Sequence, residues 1–281
     1  MVVDGSTRVF ALVGHPVKRS LSPAMHNELF RRRGVNAIYV ALEVDPSAAE
    51  SVPAAVRTLG LGGVNLTVPF KERVIPLLDE LHPGAAAAGA VNVVINRSGK
   101  LIGHNTDGEG YVRALVEEMG TGPEGQDVGI LGAGGTGRAV AAAAGARGAR
   151  AVTLYNRTLD RAERAVAALR QGFPDTHFEA RPLEKSAFNQ PHQLVVNCTA
   201  AAAGEVVQAL SIDQLRPGTI WTDANYYLAD PPQLAACAVR GIRVQRGIGM
   251  LMHQGALSFT LFTGVPVGVE AIRGVLDIGG W

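Results

Sequence analysis

The chain has 281 residues, a net charge of +1, 47% hydrophobic residues and only 18% charged ones. That length allows one large or two medium domains, and the near-neutral balance gives no field for gathering nucleic acid or coating a membrane. Two cysteines, Cys198 and Cys237, are too few for a disulfide framework or a zinc site, so no metal is expected and a reducing, cytoplasmic setting is the expectation. No signal peptide or membrane-spanning run is read from the sequence.

In chain order, Arg8–Gly14 reads as a buried strand ended by Pro16. Ser22 is then expected as an N-cap with Pro23 in the first helical position, Met25, Leu29 and Phe30 as the apolar stripe, and Gly34 as the stop. Residues 37–44 read as a strand, 47–59 as a helix and 63–68 as a strand, with another helix starting after Pro69. Residues 90–96 and 100–103 read as a strand pair around Arg97, Ser98 and Gly99. This alternation predicts a first α/β domain.

A helix over 109–119 and a loop over 120–126 lead to a strand at Asp127–Leu131, a glycine-rich turn at 132–137 and an alanine-rich helix to 146. Further strands are expected at 151–155, 194–198, 220–224 and 242–245, with helices at 160–171 and 233–239. The final elements are an apolar helix over 251–262 and a terminal helix over 271–276. The fold class is therefore two-domain α/β: a first α/β domain followed by a second, Rossmann-type doubly wound one.

Gly132, Gly134 and Gly137, with Ala133, Gly135 and Thr136 between them, form G-x-G-x-x-G between an apolar strand and a helix. That context is the one a dinucleotide pyrophosphate needs, because backbone N–H groups and the helix dipole attract phosphate. The next strand ends in Asn156, Arg157 and Thr158, with Arg161 one turn on. Arginine where an acidic residue would hold a ribose 2′-hydroxyl favours NADP, with NAD as the alternative.

In the first domain, Ser20 and Ser22 bracket Leu21 at a helix head, an arrangement able to hold a carboxylate. Strand alternation puts Asn65 and Thr67 on one face. Lys71 falls in the first turn of the next helix, where the positive end of the dipole disfavours its charge and suits a proton shuttle. Asn92 lies near a strand start, and Asp107 is expected to cap a helix and to act with Lys71 as an acid–base couple.

The segments S-L-S-P, N-L-T-V-P-F-K, A-G-A-V-N, N-T-D-G, G-A-G-G-T-G, N-R-T and G-M-L-M-H-Q-G occur along nearly the whole chain in the order found in shikimate dehydrogenases, and the sequence resembles that family. The resemblance implies an N-terminal α/β substrate domain, residues 1–107 with the return of 248–281, a Rossmann NADP-binding domain, residues 108–247, and reversible NADPH-dependent reduction of 3-dehydroshikimate to shikimate. It implies that Ser20 and Ser22 hold the substrate carboxylate, that Tyr226 approaches it, and that Thr67, Asn92, Asp107 and Gln254 bind ring hydroxyls. Lys71 and Asp107 would be catalytic; the glycine turn, Asn156, Arg157, Thr158, Arg161, Thr199 and Gly247 would surround NADP. The expected partner is a small carboxylated cyclic polyol, with no nucleic acid or membrane, for a monomer or homodimer. The sequence departs from the family at residues 200–203, all alanine, at Tyr227-Leu228 in place of Asn-Pro, and at Arg246. These changes leave a quinate or aminoshikimate dehydrogenase, or a nucleotide-sensing regulator without turnover, as alternatives.

Overall fold

The computed structural model describes residues 3–184, 192–200, 207, 210–227 and 231–276. They divide into two compact units, Met1–Thr106 with Met252–Trp281, and Asp107–Leu251.

The first unit is built on strands β1 (Arg8–Gly14), β2 (Ala37–Glu43), β3 (Gly63–Leu66), β4 (Glu80–Leu81), β5 (Val93–Arg97) and β6 (Lys100–His104). Their order across the sheet is β2-β1-β3-β5-β6-β4. β1 lies between parallel neighbours β2 and β3, so it is an apolar run rather than an alternating one. β5 runs antiparallel to both β3 and β6, and Ser98 (φ 52°) and Gly99 (φ 91°) close its hairpin with β6. Positive φ at both turn residues matches the right-handed twist of the strands.

Helices α1 (Ser22–Arg33), α2 (Val52–Thr58), α3 (Phe70–Arg73) and α4 (Pro83–Ala88) complete the N-terminal part. The core under β1 and β3 gathers Val13, Val56, Val64, Leu66, Phe70 and Val91.

Two expectations are corrected here. Leu21, with helical φ and ψ of −83° and −9°, takes the N-cap place of α1, and Ser22 is the first helical residue. Its N–H reaches Ser20 Oγ at 3.2 Å, so Ser20 rather than Ser22 satisfies a helix-end donor. The helix expected over 47–59 is a 3₁₀ segment, Pro46–Ser51, followed by α2. Pro53 cannot donate a backbone hydrogen bond into a continuous helix and fits only the opening turn of a new one.

The second unit carries β7 (Asp127–Leu131), β8 (Ala151–Asn156), β9 (His177–Pro182), β10 (Leu194–Asn197), β11 (Ile220–Asp223) and β12 (Arg243–Gln245), ordered β12-β11-β10-β7-β8-β9 with every pairing parallel. The connecting helices are α5 (Asp107–Met119), α6 (Gly135–Ala146), α7 (Leu159–Gly172) and α8 (Pro232–Val239). Trp221, Tyr155, Leu131 and Val195 fill one side of the sheet. Strand β9 was not expected: its His, Glu and Arg residues give no continuous apolar run, because it is an edge strand.

The last helices are α9 (Ile248–Thr263) and α10 (Glu270–Leu276). In the first unit, Phe262 packs on Phe10 at 4.8 Å and Phe259 on Phe30 at 5.4 Å. Arg32 of α1 donates to the Ala271 carbonyl at 3.1 Å, which ties α10 to the same unit. Among the described residues no helix is long and apolar enough to cross a membrane.

Candidate functional site

The carboxyl ends of parallel strands are where an α/β sheet leaves backbone groups and loops to face a ligand. In the first unit, β1 and β3 end side by side. Thr67 N–H donates to the Val13 carbonyl at 2.9 Å, and His15 N–H to the Val68 carbonyl at 2.9 Å. Gly14 makes this possible, because a Cβ there would collide with the Thr67 methyl. The loop from β1 carries Ser20 and Ser22 into α1, and the loop from β3 carries Thr67 into α3, where Lys71 is the second residue. Val91 N–H bonds to the Lys71 carbonyl at 2.8 Å, which ties the lysine's backbone to the residue before Asn92.

Behind these loops lies a buried polar cluster. Asn65 Oδ1 accepts from the Tyr39 hydroxyl at 2.8 Å, while its amide donates to the Asn92 carbonyl and to Ser258 Oγ, each at 3.1 Å. Asn92 Oδ1 accepts from Thr106 N–H at 2.7 Å, and its amide donates to Thr106 Oγ1 at 2.9 Å and to Gln254 Oε1 at 3.4 Å. Thr106 and Ser258 hydroxyls meet at 3.2 Å, and Ser258 Oγ donates to the Gln254 carbonyl at 2.8 Å. Asn65, Asn92 and Gln254, predicted separately, are thus brought together. Tyr39, Thr106 and Ser258 were missed. Tyr39 lies in an apolar strand, Thr106 beside Asp107 and Ser258 one turn past Gln254, and only the fold brings their hydroxyls to Asn65 and Asn92.

Beneath the cluster, His26 stacks on Tyr39 with ring centroids 4.4 Å apart. It is fully buried, and burial pushes its imidazole down to about 3, so it is neutral.

In the second unit the glycine turn follows β7. Gly132 adopts φ +98°, a left-handed conformation that favours glycine, and its N–H donates to the Tyr155 carbonyl at 2.7 Å. A Cβ on Gly137 would collide with the Gly132 carbonyl, so this glycine is required for α6 to start so close to β7. Gly134 is different. At φ −80° it is unstrained, and the nearest atom to an added Cβ is Arg161 Nη2 at 3.8 Å. The space over the helix start is therefore open, flanked by a guanidinium and faced by helix N–H groups, and it fits a pyrophosphate.

Asn156, the last residue of β8, holds this turn. Its Oδ1 accepts from Ala133 N–H at 3.1 Å and its amide donates to the Thr158 carbonyl at 2.8 Å. Arg157 and Arg161 are exposed beyond it, and β8 ends without a carboxylate. That charge pattern fits a 2′-phosphate.

Beside the turn, Cys198 N–H bonds to the Leu131 carbonyl at 2.8 Å, placing Thr199 against Gly132. Thr199 donates from N–H and Oγ1 to Asn197 Oδ1, at 3.1 and 2.7 Å. Asn197 in turn donates to Asp223 Oδ2 at 2.8 Å, and Asn225 donates to Asp223 Oδ1 from backbone and side chain, each at 2.8 Å. Burial pushes the Asp223 carboxyl above its ordinary range, although these donors oppose the shift. Asp223, Asn197 and Asn225 were not anticipated; the paired ends of β10 and β11 bring Asn197 to Asp223, and the turn after β11 brings Asn225 back to it. Gly247 is buried where a Cβ would meet the backbone of Ala224 and Asn225. The Tyr226 ring packs on Tyr227 at 4.3 Å, with the Tyr226 hydroxyl donating to that of Tyr227 at 3.2 Å. Residues 201–203 and Leu228 lie outside the described residues.

Asp107 is buried as the first residue of α5. Among the described residues no group of three or more His, Cys, Asp or Glu could hold a metal ion.

Residues 12–94 match the model of the shikimate dehydrogenase substrate binding domain, and residues 247–276 match that of the shikimate 5′-dehydrogenase C-terminal domain. The NADP(+) shikimate dehydrogenase of Geobacillus kaustophilus is 40% identical over 92% of this chain and 93% of its own. The solved structure of shikimate 5-dehydrogenase from Listeria monocytogenes, in complex with shikimate and NAD, is 32% identical with a TM-score of 0.85, covering 98% of each chain. That of the Thermus thermophilus enzyme, in complex with NADP(H) and shikimate, is 34% identical with a TM-score of 0.81, covering 97% of this chain and 99% of its own. With both units accounted for by such relatives, the chain belongs to the shikimate dehydrogenase family.

Proposed function

We propose that this chain catalyses the reversible NADPH-dependent reduction of 3-dehydroshikimate to shikimate. The observation that carries the reading is the preassembled amide shell of Asn65, Asn92 and Gln254, tied through Val91 to the backbone of Lys71. Such a shell suits a small polyol, since each hydroxyl both donates and accepts.

Ser20 and Ser22, at the head of α1, hold the substrate carboxylate, and Tyr226 approaches it. Thr67, Asn92, Asp107 and Gln254 bind ring hydroxyls, and Asn65 completes the shell. The glycine turn, Asn156, Arg157, Thr158, Arg161, Thr199 and Gly247 would hold NADPH, which would supply the hydride. As the ketone carbon is reduced, Lys71 gives a proton to the developing alkoxide, and Asp107 accepts a hydrogen bond from a ring hydroxyl. The setting is the cytoplasm, for a monomer or homodimer.

A second reading rests on Tyr227, whose ring packs on Tyr226 where the family pattern has Asn. A second phenol there suits a substrate with a further substituent beside its carboxylate, such as quinate; aminoshikimate, which carries an amine in place of a ring hydroxyl, is the other alternative. The test offers shikimate, quinate and aminoshikimate, each with NADP+ and NAD+, and follows the reduced-nicotinamide absorbance. The first reading expects shikimate with NADP+ to give the highest kcat/KM. Quinate or aminoshikimate in first place would replace it with the second, and silence on the whole panel would remove both.

A further inference from the structure

A side-chain amide can present either its oxygen or its NH₂ to a ligand, and the two choices recognise opposite partners. In the first unit, three hydroxyls, together with the Thr106 backbone N–H, settle that choice. The Tyr39 hydroxyl donates to Asn65 Oδ1, which turns the Asn65 NH₂ toward Ser258 and the Asn92 carbonyl. Thr106 donates its N–H to Asn92 Oδ1 and receives the Asn92 NH₂ on Oγ1. The same NH₂ reaches Gln254 Oε1, so the Gln254 oxygen is turned inward. Ser258 joins Thr106 to the Gln254 carbonyl and closes the chain.

We propose that Tyr39, Thr106 and Ser258 are positioning residues for polyol recognition: their hydroxyls set the donor and acceptor sense of Asn65, Asn92 and Gln254 before the substrate arrives. The proposal deepens the functional reading above and rests on it for the identity of the ligand. All three residues are buried, in a medium where a misdirected amide would leave a polar atom unpaired. Tyr39 is itself fixed by its stack on His26. Tyr39→Phe therefore removes the hydroxyl while keeping the ring contact.

The experiment compares the intact protein with Tyr39→Phe, Thr106→Val, Thr106→Ser and Ser258→Ala, measuring kcat, KM for shikimate, KM for NADP+ and the melting temperature. Tyr39→Phe, Thr106→Val and Ser258→Ala are expected to raise KM for shikimate about 3- to 10-fold, the worth of one hydrogen bond. KM for NADP+ should stay within about twofold, and Thr106→Ser should restore KM for shikimate because it keeps Oγ. A merely structural role would lower the melting temperature and raise both KM values together, and that result overturns the proposal. So does an unchanged KM for shikimate in the three variants, or Thr106→Ser as impaired as Thr106→Val. If the unaltered protein oxidises none of the polyols, the functional reading has failed instead. Calorimetric titration with shikimate then decides: weaker binding in the three variants sustains the positioning role, and equal or absent binding removes it.

Discussion

The two units prepare for their ligands by opposite means. In the first, the proposed recognition rests on side chains: Asn65, Asn92, Thr106, Ser258 and Gln254 hold one another in a hydrogen-bonded cluster assembled from β3, the start of β5, the end of β6 and α9. In the second, it rests on backbone. Gly132 and Gly137 shape a turn whose N–H groups do the work, and Asn156 braces it from the next strand. A side-chain site tolerates backbone change and fails when one functional group is lost. A backbone site has few functional groups to lose and fails when a methyl is added.

The largest effect should come from the side-chain unit. Lys71→Ala is expected to lower kcat about 100- to 10,000-fold, the range of a lost general acid, with much less change in KM for shikimate. Steady-state kinetics in both directions measures it. Near-normal turnover would strip Lys71 of its role and leave the contrast between the units without its chemical half.

The backbone unit is tested with methyl groups. Gly137→Ala must push the turn apart, because its Cβ collides with the Gly132 carbonyl. Overpacking of this kind costs about 1–3 kcal/mol, so melting temperature and NADP+ affinity should fall together. Gly134→Ala has room for its methyl within the protein and an unstrained φ, so it should keep the melting temperature and lose NADP+ affinity alone. Thermal melts with and without NADP+ separate the two variants. Undiminished NADP+ affinity in Gly134→Ala would mean that the space over Gly134 holds no phosphate.

The same contrast explains what could be read from the sequence. The glycine turn was legible because a steric demand leaves a fixed residue at fixed spacing, and β1 and β7 were legible because strands buried on both faces are unbroken apolar runs. The break at Pro53 was missed because the apolar spacing of 47–59 carries through it, although its backbone cannot. The edge strand β9 carries too little apolar signal. In the polar cluster, Asn65, Asn92, Thr106 and Gln254 stood in motifs, but Tyr39 and Ser258 reach Asn65 across long stretches of chain, and no local spacing encodes those contacts. Asp223 was overlooked for the same reason: its partner Asn197 meets it through parallel pairing of β10 and β11, although Asn225 lies only two residues away.

Cofactor choice offers a smaller effect. Arg157 and Arg161 are exposed at the end of β8, where water screens their charge. Replacing both with alanine is expected to raise KM for NADP+ about 10-fold while leaving KM for NAD+ nearly unchanged, since only NADP+ carries the 2′-phosphate. Steady-state kinetics with both cofactors checks this. An equal loss with NAD+ would place the arginines on the pyrophosphate or in the fold, rather than on the 2′-phosphate.

The smallest effect at neutral pH, and the one that compares the two cores, concerns their buried histidines. His26 in the first unit is held down to about 3 and His192 in the second to about 4, from an ordinary 6.5, in both cases mainly by burial. Each has an Nδ1 without a hydrogen-bond partner, while His192 Nε2 meets the Tyr155 hydroxyl at 2.8 Å. A histidine depressed in the folded state takes up its proton first in the unfolded chain. Its contribution to stability is therefore complete above pH 6.5 and is lost as pH falls toward the folded value. For His26 that window runs from 6.5 down to about 3, and for His192 from 6.5 down to about 4. His26→Phe keeps a ring against Tyr39 and removes the proton site, so it should leave kcat at pH 7 little changed and make denaturant stability less steep between those limits. Denaturant melts across that range, read against the unaltered protein, test it. An unchanged slope would mean that His26 does not stay neutral in the folded core. The stack under Tyr39 would then have to accommodate a charge, which an apolar cage of Phe30, Phe259 and Phe262 is poorly made to do.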